Sequence, residues 1–155
     1  MSIPKDEPDA ATAARGVEVE REVERLVREF EACTLPSERW THEAHLTVAL
    51  WYLMRHADAE AAPLIRERIQ RYNLSRGVEM TKDGGYHETI TLFYLRAIRR
   101  YLNNAGDSHT LAELLDGLIV ACGARNFPFE YYSRECLLSW EARTSWLEPD
   151  LKALD

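Results

Sequence analysis

"YHETITLFYLRAIRRYLN", residues 86–103, decides the fold. Its first turn is rich in β-branched side chains, which favour strands. The apolar spacing overrides that preference. His87, Thr91, Tyr94 and Ile98 recur at steps of four and three, and the pattern persists for about five turns. The stretch is read as one long helix.

Working outward, the same period appears on both sides. "SRGVEMTKDGG" upstream is a loop with three glycines, and "DAEAAPLIRERIQRYNL" before it is a helix. That helix carries Pro63 near its beginning, where a missing N–H costs little. Thr41 is a candidate N-cap for a helix over about residues 42–57. Val19, Val23, Leu26, Val27, Phe30 and Cys33 mark a further helix that "LPSE" breaks. Residues 1–15, rich in Ala, Asp and Pro, have no hydrophobic period and read as a loose tail before a single domain over 16–155.

Downstream, "NNAGDS" ends the 86–103 helix. Thr110 and Glu113 form a capping-box pair ahead of "LAELLDGLIVACG", with Gly123 as C-cap. Ser133 caps a short helix, and the chain becomes irregular after Pro149. No strand alternation, βαβ rhythm or internal repeat is present. The expected fold is an all-α helical bundle of about five or six helices, mostly antiparallel neighbours because the loops are short.

Bulk composition narrows the function. The 155 residues carry a net charge of −7, which disfavours a phosphate-backbone binder, so no nucleic-acid partner is expected. Arg96, Arg99 and Arg100 cluster, but a solvated helix face accounts for them. No apolar run approaches the roughly 20 residues that span a bilayer. Three cysteines, Cys33, Cys122 and Cys136, lack metal or redox spacing and read as structural thiols of a cytoplasmic protein.

The chemistry-bearing residues are histidines. In "RWTHEAHLTVALWYL", residues 39–53, His42 and His45 stand three apart and share a helix face. His87 begins the face that carries Thr91 and Tyr94, with Glu88 about a third of a turn away. If the two helices pack side by side, three imidazoles and a carboxylate converge. That set suits a divalent metal such as zinc, iron, manganese or nickel, and would leave positions open for water or substrate. The blander alternative is that each ring is merely packed and hydrogen-bonded. "THEAH" is not the HExxH protease motif, because its histidines are one residue too close. P-loop, GxGxxG, GxSxG and zinc-deaminase signatures are absent.

Around this centre, Tyr132 and Arg134 of "EYYSRE", together with Trp51, are candidate substrate contacts, Arg134 for an anionic group. A capping Ser133 flanked by packing tyrosines explains the same residues structurally.

The order HxxHL, YHETIT, YYS resembles a family of small bacterial proteins without an assigned reaction. The matching residues are His42, His45, Leu46, Tyr86, His87, Glu88, Thr89, Tyr132 and Ser133, and the likeness spans roughly residues 38–151. It supports the choice of residues and implies no activity. A weaker likeness, in architecture alone, is to helical bundles that hold a metal with three histidines from separate helices; the HxxH spacing departs from theirs.

The leading expectation is therefore a metal-dependent enzyme that activates water on a small molecule. His42, His45 and His87 would be ligands, Glu88 a base or fourth ligand, and Thr91 or Tyr94 would orient water or substrate. A non-haem iron oxygenase is a variant of the same site. The alternatives are a non-catalytic bundle that binds a small ligand, and a structural homodimer.

Overall fold

The computed structural model describes residues 7–154, and among these it contains seven α-helices and no strand. They are α1 (Ala10–Glu31), α2 (His42–Arg55), α3 (Asp58–Ser75), α4 (Glu88–Ala105), α5 (Leu111–Cys122), α6 (Arg134–Leu137) and α7 (Trp140–Thr144). Short 3₁₀ turns occupy Ser37–Arg39 and Phe127–Glu130. The all-α expectation holds: five long helices form the body, and two one-turn helices close it.

Local capping sets most boundaries. The side chains of Asp9, Thr41, Thr110, Ser133 and Ser139 each accept a backbone N–H from the first turn of their helix. The capping box of Thr110 and Glu113 is complete. Asp9 starts α1 at Ala10, so residues 10–15, expected as tail, are helical; residues 1–6 lie outside the described part. Arg15 on this extension pairs with Asp116 of α5 at 3.0 Å. Pro63 sits sixth in α3, deeper than the sequence suggested, so the Ala59 carbonyl loses its helical donor. Ala59 is exposed, so that carbonyl can turn to solvent.

The far end of α1 shows another device. Cys33 takes a left-handed φ of 58°, while Cys33 N–H bonds the Phe30 carbonyl and Thr34 N–H the Glu29 carbonyl. That is a Schellman closure with cysteine where glycine is usual.

The elements share one core. Phe30, Leu50, Tyr52, Phe93, Ile98, Leu118, Tyr132 and Leu137 are almost wholly inaccessible. Each large apolar side chain buried this way contributes about 1.5–3 kcal/mol. Helix α2 lies against α1, α3, α4 and α5, while α4 also packs on α5 and α7. The histidine-bearing start of α2 thus faces α4 across a gap roofed by the 125–137 segment. No helix of the described residues is long and apolar enough to cross a membrane.

Candidate functional site

Helix α2 delivers two of the three histidines to one place. Thr41 Oγ1 accepts from Ala44 N–H at 3.2 Å, which makes His42 the first helical residue and His45 the fourth. Both rings line a cavity of ≈ 380 Å³, walled mainly by apolar groups such as Ala49, Ile65, Ile69, Ile90 and Phe129.

His45 Nδ1 lies 2.7 Å from the Thr41 carbonyl, so Nδ1 carries the proton and donates. Nε2 is left as a bare acceptor. The ring lies against Trp40 with centroids 3.8 Å apart. One edge is open to the cleft, yet protein atoms hem the rest. That desolvation lowers the pKa to about 4, against the Thr41 carbonyl and with help from His42.

His42 stands edge-on to Tyr94 with centroids 5.5 Å apart, and its Nε2 is buried without a hydrogen-bond partner. Desolvation lowers its pKa, the Arg125 charge adds to this, and the Cys122 carbonyl opposes it. Desolvation also raises the pKa of Tyr94. Both rings are neutral near pH 7. Exposed Arg125 completes the lining.

His87 is elsewhere in role. It precedes α4 as its N-cap rather than riding on the helix face. Nδ1 accepts the Ile90 N–H at 3.1 Å, and Nε2 donates to the Leu137 carbonyl at 2.8 Å. Desolvation lowers its pKa, the Leu137 carbonyl opposes this, and the nearby Arg143 charge adds to it. The ring borders an adjoining cleft of ≈ 530 Å³ that shares Trp40, His45, Ile69, Ile90 and Thr91 with the cavity. A metal ligand must offer a lone pair, and His87 has none free.

The remaining expected participants are also committed. Glu88 takes both of its oxygens to Arg66 Nε, at 3.0 and 2.9 Å, and receives the Tyr86 hydroxyl at 2.7 Å. It lines neither cavity, so it is not placed as a base. Thr91 Oγ1 donates to the His87 carbonyl at 2.8 Å. Among the described residues no group of three or more His, Cys, Asp or Glu side chains is arranged to hold a metal ion. The structure pairs His42 with His45, and His45 with His87, but does not gather all three as ligands.

The expected substrate contacts shift similarly. Tyr132 is fully buried and donates to the Leu147 carbonyl at 2.7 Å. Arg134 is exposed and covers Phe129 with its guanidinium 4.9 Å from the ring centroid. Trp51 lies under Arg55, 4.1 Å away, and borders neither cavity. The basic cluster disperses: Arg99 pairs with Asp58, Arg96 covers Trp146, and Arg100 donates to Tyr131.

Sequence reasoning passed over Arg125 and Arg143. Neither belongs to a motif, and only tertiary packing brings them to the cavities. No protein-family profile matches the chain, and no curated protein or solved structure shows significant similarity to it.

Proposed function

We propose that this bundle binds a small, largely apolar molecule in the cavity beside His42 and His45. The reading rests on one observation: a space of ≈ 380 Å³, walled by apolar side chains from α2, α3, α4, α6 and the Phe127–Glu130 turn, with a few polar groups at its edge. Ligand sites of small molecules have this size and make-up. With Nδ1 on the Thr41 carbonyl, His45 Nε2 is an acceptor that meets no donor among the described residues, which suits a ligand hydroxyl or amide N–H. The Tyr94 hydroxyl and Arg125 supply donors. The water-activating reading would need His87 and Glu88, whose donor and acceptor groups are already engaged.

The test uses two neutral probes, indole and n-octanol, followed through the methyl resonances of Ile65, Ile69 and Ile90. Saturable shifts at these methyls, lost in Ala49→Phe while the fold is kept, are the expected result. Unperturbed methyls at millimolar probe would overturn the reading. A probe at 100 times its Kd would also raise stability by about 2.7 kcal/mol.

A further inference from the structure

Arg143 is 7% exposed, and no carboxylate stands within ion-pair distance of it among the described residues. Its Nη1 donates to the carbonyls of Gly85 at 3.0 Å and Tyr86 at 3.3 Å. Nε is buried without a partner, and Nη2 has no acceptor among the described residues. A guanidinium is charged at any working pH, and a buried charge left without a counter-charge is costly. The edge left unpaired is the Nε–Nη2 side, the fork that matches two oxygens of one anion.

Arg143 borders the ≈ 530 Å³ cleft, which adjoins the apolar cavity and shares Trp40, His45, Ile69, Ile90 and Thr91 of its lining. Arg76 borders the same cleft, its Nη2 spent on the carbonyls of Cys33 and Leu35, so it adds charge but not that fork. Asp83 is the one carboxylate in the lining among the described residues, and it makes no ion pair with any of them. Two cations against one anion leave the cleft positive in a chain whose net charge is −7.

We infer that Arg143 is the anion-binding residue of this site, and that its ligand is a small carboxylate whose apolar body occupies the cavity beside His42 and His45. The inference rests on the cavity-binding reading above and adds the head group. One free fork and one flanking charge suit a monoanionic carboxylate better than a phosphate dianion.

Octanoate, octanamide and octyl phosphate are the probes, titrated into the full chain by calorimetry and followed by the Arg143 Nε–H resonance. Octanoate should bind about tenfold tighter than octanamide, as expected for a charge-assisted pair. It should also move the Nε–H signal. Arg143→Gln should remove the preference, and Arg143→Lys should keep part of it. Equal binding of acid and amide, with an unmoved Nε–H signal, would sink the carboxylate while leaving the apolar cavity standing. Failure of all three probes would sink both. Tighter binding of octyl phosphate would overturn the choice of head group, and a preference lost in Arg125→Gln but kept in Arg143→Gln would move the site to Arg125. Should Arg143→Gln fail to fold, the acid–amide comparison and the Nε–H signal in the unaltered chain still decide.

Discussion

His87 gives its Nε2 proton to the Leu137 carbonyl, 2.8 Å away and fifty positions along the chain. With Nδ1 receiving the Ile90 N–H, one ring both starts α4 and ties it to the end of α6. Replacing it by alanine removes an N-cap, worth about 1 kcal/mol. It also leaves a buried carbonyl unpaired, at a further 1–3 kcal/mol or so. His87→Ala should therefore lose about 2–4 kcal/mol in urea unfolding, and His87→Asn, which keeps a capping group, should lose less. A loss below 0.5 kcal/mol or so would mean the tie is ornamental.

Acid should loosen the protein through its histidines. His42, His45 and His87 all have folded pKa values below the ordinary 6.5, chiefly by desolvation, with His45 near 4. A depressed folded pKa means the unfolded chain takes up the proton first. The contribution is thus complete above about pH 6.5 and is lost as pH falls toward 4. His45 alone should give a slope under the ceiling of about 1.4 kcal/mol per pH unit, because its open edge is screened by cleft water. Urea midpoints measured from pH 7 to 4 should fall, and His45→Gln should flatten the curve. A slope unchanged by that substitution would assign the acid sensitivity to other groups.

What could be read from the sequence were the features written in neighbouring residues. The capping oxygens of Thr41, Thr110 and Ser133 act on N–H groups three positions away, so their helices were placed within a residue or two. The 86–103 helix was found as well, but its first residue was not. Histidine is not a usual capping residue, so periodicity carried His87 onto the helix face, and the proposed three-histidine site followed from that slip. Asp9 was overlooked because the Ala-rich stretch after it has no apolar stripe to reveal a helix. Arg125 and Arg143 gain their positions only from long-range packing, which no local spacing encodes.

Glu88 separates a structural role from a catalytic one. Its partners are Arg66 and the Tyr86 hydroxyl, and Tyr86 is buried. Glu88→Ala strands that hydroxyl and should cost about 1–2 kcal/mol. Indole and n-octanol should bind the variant as they bind the parent, since the carboxylate borders neither cavity. Calorimetry at one temperature checks this, and a large loss of probe affinity in a folded Glu88→Ala would return Glu88 to the site.

Cys33 holds a left-handed conformation that costs a non-glycine residue about 1–2 kcal/mol. Glycine removes that strain but gives back part of it as unfolded-chain entropy, about 0.4–1 kcal/mol. Cys33→Gly should therefore stabilise by a net of about 0.5–1 kcal/mol, with an unchanged denaturant slope. Destabilisation would show that the half-buried thiol contributes packing that the backbone argument omits.

Two glycines of the loop before α4 make a controlled comparison. Gly77 and Gly85 have φ of 69° and 82°, so alanine is strained at both. A Cβ at Gly77 would meet nothing within 4 Å, whereas one at Gly85 would fall 2.5 Å from the Glu79 carbonyl oxygen. Gly77→Ala should cost about 1–2 kcal/mol, the backbone penalty alone. Gly85→Ala should cost more, because backbone must move to admit the methyl. That movement carries a second consequence, since the Gly85 carbonyl holds Arg143 Nη1 at 3.0 Å. Displacing it should turn the guanidinium, so Gly85→Ala should lose much of the preference for octanoate over octanamide while Gly77→Ala keeps it. If both variants retain the full preference, the Gly85 carbonyl is not what aims Arg143 at the cleft.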